Sequence, residues 1–75
     1  MYTATTEQLD QNAKAFTYHE PKDGQAERYV RVRDTAGSLA HLFVTNCPRS
    51  RELSVALTKL EEAVMWANAA IARNE

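Results

Sequence analysis

Residues 50–73 contain no glycine or proline, and this stretch constrains the fold more than any other part of the chain. At 3.6 residues per turn it is long enough for about six turns of α-helix. Its apolar residues recur at alternating spacings of four and three, which places them on one face of a helix. They are Leu53, Leu57, Leu60, Val64, Ala67 and Ile71. Because an apolar face of this length needs a packing partner, the pattern predicts a long helix over residues 50–73 that packs against another element.

Two other sets of residues repeat every seven positions along the same helix. One consists of small side chains that would let a neighbouring helix approach closely: Ala56, Ala63 and Ala70. The other places Trp66 between Lys59 and Arg73. This second set would suit an aromatic and cationic wall facing a ligand or a subunit. The spacing favours the alternative, in which Trp66 lies in the core, the charged side chains extend past it to solvent, and Arg73 complements the helix dipole.

A second long helix is predicted over residues 25–45. Its apolar stripe repeats at spacings of three and four and consists of Tyr29, Val32, Ala36, Leu39 and Phe43. The sequence Asn46-Cys47-Pro48 ends this helix, and Ser50 is well suited to cap the start of the next. Because the link is short, the two long helices are expected to form an antiparallel hairpin.

The N-terminal part of the chain predicts one short helix. Residues 1–6 are small and polar and are expected to fray, while Thr5 and Gln8 have the spacing of a capping box ahead of a helix over residues 7–16. The inner face of that helix would carry Leu9, Ala13 and Phe16. A helix this short is unstable alone in water, so we expect it to dock on another element.

The connection between the short helix and the hairpin has its own local signals. Pro21 disfavours a helical conformation at the residue before it, which predicts an aromatic-rich extended segment over residues 16–21. Residues 21–24, with the sequence Pro-Lys-Asp-Gly, favour a tight turn, in which Asp23 or Gly24 caps the following helix. The chain is therefore predicted to be a single all-α domain over residues 1–75.

Size makes such a domain marginal when it is alone. A chain of 75 residues buries only roughly 60% of the surface that its unfolded form exposes. Cys47 is the single cysteine, so no internal disulfide can form, and no cluster of residues has the spacing of a metal site. Association between copies of the chain is the remaining source of stability, and we expect a homo-oligomer.

Charge and hydropathy exclude several classes of partner. The formal net charge is −1, whereas proteins that bind duplex nucleic acid normally display a strong excess of lysine and arginine. No stretch has the roughly 18 consecutive apolar residues of a membrane span, and the N-terminus does not resemble a signal peptide. We therefore expect no duplex nucleic acid partner, no membrane partner and a cytoplasmic location.

One cluster of side chains has the chemistry of a nucleotide site. Aromatic rings that can stack on bases precede the turn, and guanidinium groups that can bind phosphate follow it. The rings are those of Phe16, Tyr18 and His19, and the guanidinium groups are those of Arg28, Arg31 and Arg33. Spacing alone favours a different interpretation, in which Phe16 is in the core and the arginines are solvated or paired with Glu27 and Asp34.

The sequence offers little support for catalysis. His19 and His41 are too isolated to form a metal site, and Cys47 lacks the surroundings of a catalytic nucleophile, so a small buried residue is the simpler interpretation. We find no glycine-rich phosphate loop and no acid–base pair. The prediction is a protein that is not an enzyme, with no catalytic residues, no metal and no cofactor.

Several segments together resemble a family of small phage proteins that act as sponges for immune nucleotides. These anti-CBASS proteins share their helical domain with one class of anti-Thoeris proteins. The resemblance runs from about residue 16 to the C-terminus and is most specific between residues 50 and 73. It is carried by Phe16-Thr17-Tyr18-His19-x-Pro21, Glu27-Arg28-Tyr29, Cys47-Pro48-x-Ser50-Arg51-Glu52, Ser54-x-Ala56-Leu57-Thr58-Lys59-Leu60-Glu61-Glu62-Ala63-x-Met65-Trp66-Ala67 and Ala70-Ile71-Ala72-Arg73.

The resemblance implies a helical protomer that assembles into a hexamer in the cytoplasm of the infected host cell. Such an assembly would bind cyclic dinucleotides and cyclic trinucleotides without cleaving them, with cyclic ADP-ribose isomers as further candidates. A two-fold symmetric ligand suits a pocket shared by two chains, and a three-fold symmetric ligand suits a site where three chains meet.

The resemblance also implies positions for the ligands. It places the cyclic dinucleotide on Tyr18 and Arg33, to which the aromatic and arginine cluster adds Phe16 and Arg28. It places the cyclic trinucleotide on His19 and Arg73. The alternative function is a helical, oligomeric adaptor whose apolar stripes bind a protein partner.

Overall fold

Three α-helices make up the fold: α1 (Thr6–Phe16), α2 (Gln25–Asn46) and α3 (Arg51–Asn74). The computed structural model describes residues 2–75, and this part of the chain contains no β-strand. The predicted all-α class, with one short helix followed by two long ones, is confirmed. Each helix begins and ends within one residue of the predicted ranges. Met1 lies outside the described residues, and Thr6, expected to fray, is the first residue of α1.

The two long helices pack against each other as the predicted antiparallel hairpin. Residues 47–50 link them, and at the other end of the hairpin Arg28 near the start of α2 bonds Glu75 at the end of α3. The seam consists of half-buried residues at helical spacing. On α2 they are Tyr29, Val32, Ala36 and Phe43, and on α3 they are Leu53, Leu57, Leu60, Val64, Ala67 and Ile71.

The helix ends follow from local hydrogen bonding. Thr5 Oγ1 accepts from the Gln8 N–H at 3.1 Å and Gln8 Oε1 accepts from the Thr5 N–H at 2.9 Å, so the capping box is formed. Ser50 Oγ accepts from the Leu53 N–H at 3.2 Å and caps α3. Gly24, and not Asp23, caps α2, with φ 81° and ψ −13°, a left-handed conformation that glycine adopts without steric cost.

A single chain leaves an unusually large surface exposed. Its accessible area is 6472 Å², whereas a compact monomer of 8.5 kDa would expose about 4,700 Å². Its radius of gyration is 16.7 Å, whereas a compact chain of this length would have one of about 11 Å. Among the described residues no hydrophobic side chain is buried, and the only buried residue is Gln25, at 3% exposure. The hairpin is thus an open layer with no enclosed core.

Helix α1 accounts for part of this exposure. It does not dock on the hairpin as a short helix was expected to do: all its residues are exposed, including Leu9 at 58% and Phe16 at 86%. An open groove, lined by α1 residues together with Arg73 and Asn74, separates it from the end of α3. The expectation that Phe16 belongs to the core is therefore wrong for the single chain.

Two further side chains lie in more exposed positions than the sequence indicated. Trp66 is 62% exposed and so is not a core residue, because α2 covers only one face of α3 and Trp66 lies beside that face. Cys47, expected to be buried, is exposed, and its N–H donates to the Phe43 carbonyl at 2.9 Å. None of the helices within residues 2–75 combines the length and apolarity needed to cross a membrane.

Candidate functional site

A groove of about 450 Å³ lies where the segment after α1 passes the start of α2 and the end of α3. We call it the Tyr18 groove. The side chains that give it chemical character are an exposed phenol, an imidazole, a second phenol, an amide and a guanidinium group. They belong to Tyr18, His19, Tyr29, Asn68 and Arg73. The structure thus brings Tyr18, predicted for the dinucleotide, together with His19 and Arg73, both predicted for the trinucleotide.

The fold explains why these residues meet. Thr17 ends α1 in an extended conformation, with φ −107° and ψ 136°, which carries Tyr18 away from the helix. Because the hairpin is antiparallel, the start of α2 and the end of α3 lie at the same end of the layer, which brings Tyr29 close to Asn68 and Arg73. The phenol of Tyr18 remains 84% exposed. Its ring is therefore free to stack on another planar group.

His19 already has a structural partner. Its Nε2 lies 2.7 Å from the main-chain oxygen of Lys14, in the last turn of α1. Because a carbonyl oxygen only accepts, Nε2 carries the proton and donates, which satisfies one of the carbonyls left free at the end of a helix. Only Nδ1 of the His19 ring is then available to a ligand.

Arg73 lies against the side chain of Trp66, which precedes it by two helical turns. Its guanidinium carbon is 5.8 Å from the centre of the Trp66 ring, a cation–π arrangement. Lys59, at the other end of the set predicted from the seven-residue repeat, instead forms an ion pair with Glu62 at 3.7 Å. The contact with Trp66 limits the rotation of Arg73 but leaves its N–H groups free to bind an anion.

Tyr29 and Asn68 line this groove although neither was predicted as a site residue, and Asn68 is the more informative of the two. Its Oδ1 is buried and has no hydrogen-bond donor within residues 2–75. A buried acceptor left without a partner costs about 1–3 kcal/mol, so a donor from outside the chain would be bound favourably once a rotation of the side chain exposes Oδ1. A signal was present in the sequence, since Asn68 lies four residues after Val64 and three before Ile71 and therefore interrupts the apolar face of α3.

Three of the four residues predicted for the dinucleotide, Phe16, Arg28 and Arg33, do not line the Tyr18 groove in the single chain. The guanidinium group of Arg33 has only a weak ion pair, at 3.9 Å, with its neighbour Asp34, and both side chains are largely exposed. A pocket that contains both Tyr18 and Arg33 would therefore need parts of more than one chain.

Arg28, the fourth predicted dinucleotide residue, is bound to a carboxylate that the sequence did not indicate. Both of its Nη atoms donate to Glu75, with Nη1 at 2.7 Å from Oε2, and Glu27 is not its partner. These bonds from Arg28, and a further one from Gln25, lower the pKa of Glu75 to about 2. The same contact raises the pKa of Arg28. Glu75 lines a second groove of about 350 Å³ that Tyr18 and His19 also line.

The arrangement as a whole suits binding of an anionic ligand that carries flat rings. Tyr18 offers a face for stacking, Asn68 an unused hydrogen-bond acceptor and Arg73 a positive charge. Residues 2–75 contain no group of three or more histidine, cysteine, aspartate or glutamate side chains placed to hold a metal ion.

A protein-family model matches most of the chain. Residues 9–72 match the model of a protein family described as the Acb2/Tad1 hairpin domain. The match covers α2 completely and most of α1 and α3. Neither the curated proteins nor the solved structures gave a match.

Proposed function

Because the chain belongs to the Acb2/Tad1 hairpin domain family, the anti-CBASS and anti-Thoeris sponge family, we propose that it sequesters cyclic oligonucleotide immune signals. It binds cyclic dinucleotides and cyclic trinucleotides in the cytoplasm of the infected cell and leaves them chemically intact. Binding lowers the free concentration of the signal, so the immune effector is not activated. Cyclic ADP-ribose isomers are further candidate ligands.

Apart from membership of the family, the observation that supports this proposal is the Tyr18 groove. It combines an exposed aromatic ring, an unpaired amide oxygen and a half-buried guanidinium group within one chain. Stacking of one base on an aromatic side chain contributes about 1–3 kcal/mol, and a guanidinium group binds phosphate through paired hydrogen bonds. A ligand with two or three bases and as many phosphates can use several such contacts at once.

The binding sites are completed by association of several chains, for which a hexamer is the proposed form. The excess surface of the single chain supports assembly, and so does the exposure of the apolar residues of α1. In a pocket related by two-fold symmetry, Tyr18 of one copy meets Arg33 of another, and Phe16 and Arg28 complete the site. His19 and Arg73 contribute to the trinucleotide site.

Calorimetry with purified protein tests the proposal directly. A panel of cyclic dinucleotides and cyclic trinucleotides is titrated, and the ligand is then released by heating and identified by mass. We expect binding of at least one ligand and recovery of intact, cyclic material. The proposal is rejected if no member of the panel binds or if the recovered products are linear.

Paired substitutions then test the site. Tyr18→Ala removes the stacking face, whereas Tyr2→Ala removes a fully exposed tyrosine that lies outside both grooves. Arg33→Ala is paired with Arg49→Ala, which removes an exposed arginine from the link that connects α2 to α3. We expect the first member of each pair to weaken dinucleotide binding by tenfold or more, and the second to have little effect. Equal effects within a pair would contradict the assignment.

A second candidate function is a helical adaptor that binds a protein partner. It is favoured by large apolar side chains that remain exposed on the hairpin, among them Leu39, Leu42, Val44 and Val55. The substitutions above also separate the two functions. If Tyr18→Ala and Arg33→Ala abolish nucleotide binding and leave the size of the assembly unchanged, the sponge is supported and the adaptor is not required.

A further inference from the structure

The open end of the hairpin carries a group of hydrogen-bond donors that converge on one acidic residue, Glu75. Glu75 follows α3 directly, and in an antiparallel hairpin this position lies beside the first turn of α2. The donors are Lys22, in the turn before α2, and Gln25 and Arg28, which lie three residues apart and therefore on the same side of α2. The carboxylate of Glu75 is thus held by the start of another helix.

Each donor makes a direct contact with Glu75. The two Nη atoms of Arg28 donate one to each carboxylate oxygen, a bidentate arrangement. The Nε2 of Gln25 donates to Oε1 at 3.3 Å. The Nζ of Lys22 donates to the main-chain oxygen of Glu75. No carboxylate other than that of Glu75 accepts a hydrogen bond from these three side chains within residues 2–75, although Glu20 also lines the groove.

The orientation of one donor does not depend on Glu75. The side chain of Gln25 is fixed because its Oε1 accepts from the Lys22 N–H at 2.9 Å, which directs its Nε2 towards the carboxylate. Gln25 is also the single buried residue of the described chain, at 3% exposure. In addition, Gly24 supplies no side-chain acceptor to the start of α2, where the helix dipole favours an anion. The amide of Gln25 would therefore remain in place for another anion.

We propose that Lys22, Gln25 and Arg28 form a phosphate-binding site, and that Glu75 occupies this site in the free protein until a nucleotide phosphate displaces it. This inference rests on the proposed function, which supplies the nucleotide. A guanidinium fork, an amide N–H and an ammonium group bind phosphate oxygens with the same geometry as carboxylate oxygens. The groove that contains Glu75 is also lined by Tyr18 and His19, so a phosphate at this site brings its nucleoside to the aromatic side chains.

The consequence is competition between Glu75 and the ligand. If the ion pair is closed for nine-tenths of the time, the apparent affinity for a phosphate is about one tenth of the intrinsic affinity. Removing the charge of Glu75 should therefore strengthen phosphate binding about tenfold, even though it also removes the favourable contacts that Glu75 makes with Gln25 and Arg28 in the free protein. A residue that merely stabilised the site would have the opposite effect.

The test compares the natural chain with Glu75→Gln and with Glu75→Ala. Glu61→Gln is the control, since it makes the same change of charge at an exposed position of α3 that is not within either groove. Two probes are used at constant ionic strength. The first is inorganic phosphate, followed through the NMR signals of the Gln25 amide and the Arg28 guanidinium group, and the second is cyclic di-AMP, followed by calorimetry.

We expect phosphate to shift the signals of Gln25 and Arg28 at lower concentrations in both Glu75 variants than in the natural chain or in Glu61→Gln. If cyclic di-AMP binds, its Kd should fall about tenfold in the Glu75 variants. Phosphate shifts without binding of any cyclic nucleotide would support this site while contradicting the proposed function. An absence of phosphate shifts in the variants, an unchanged Kd or weaker binding would overturn the inference. Circular dichroism verifies that each variant is folded.

Discussion

The exposed surface of the single chain predicts that its thermal stability depends strongly on protein concentration. The chain exposes 6472 Å², about 1,800 Å² more than a compact monomer of the same mass. A standard protein interface buries about 800 Å² per partner, so covering this excess requires more than one such interface per chain. We therefore expect an assembly larger than a dimer, such as the proposed hexamer.

Dilution is the perturbation that measures this dependence. If folding and assembly are coupled, diluting the protein a hundredfold removes about 2 kcal/mol per chain from the assembled state. For a domain of this size, each 1 kcal/mol corresponds to a change in Tm of about 4–8 °C. The Tm should therefore fall by roughly 8–16 °C over the series. A monomer with the same fold would show no change.

Calorimetric or circular dichroism melts across the concentration series measure Tm, and small-angle scattering with analytical ultracentrifugation measures size. Six chains of 8.5 kDa would give about 51 kDa and, if compact, a radius of gyration of about 22 Å. The isolated chain would instead give 8.5 kDa and 16.7 Å. A constant Tm together with the smaller mass at all concentrations would refute the reasoning from surface area and with it the shared binding sites.

Three further predictions concern individual side chains. Ser50→Ala should lower the free energy of unfolding by about 1 kcal/mol, because the first turn of α3 loses its cap. In the same melts Ser54→Ala, which removes only a hydroxyl bonded within the helix, should leave Tm nearly unchanged, and equal changes in the two variants would contradict the capping role. The pKa of Glu75 is lowered from 4.5 to about 2, so its contribution to stability is complete above about pH 4.5 and is lost as the pH falls towards 2. In urea melts, the free energy of unfolding should therefore fall less between pH 5 and pH 2.5 in Glu75→Gln than in the natural chain. Identical losses in the two proteins would argue against this role of Glu75. Asn68→Leu should leave Tm within a few degrees and weaken nucleotide binding in calorimetry, because it removes an acceptor that lacks a donor within residues 2–75. Unchanged affinity would rule out a role for Asn68 in binding.

The features that were predictable from sequence are those set by local periodicity and capping. The alternating spacing from Leu53 to Ile71 identified the half-buried face of α3, and Ser50 identified its start. Hydrogen bonds between Thr5 and Gln8 needed only residues three apart in the chain. Such patterns act within one or two helical turns, so they do not depend on the arrangement of distant elements.

The features that were missed depend on distant neighbours. The spacing of Trp66 placed it next to the apolar face, about 100° from Ala67 around the helix, but could not show that only one helix would cover that face. Arg28 was expected to be solvated or to bind a nearby acid, whereas its partner Glu75 is 47 residues away and comes close only when the hairpin closes. Periodicity likewise gave no sign that α1 would remain separate from the hairpin.

The separation of α1 has a consequence for how copies of the chain can interact. This helix has its own capping box and no buried residue, so it forms an arm beside the hairpin, and the five residues that follow it, 17–21, form a tether that can span about 18 Å at most. Such an arm can reach an adjacent copy of the chain and pack Leu9 and Phe16 against its hairpin, but only if the two hairpins lie side by side. Shortening the tether would therefore prevent the exchange of arms without altering either helix of the hairpin.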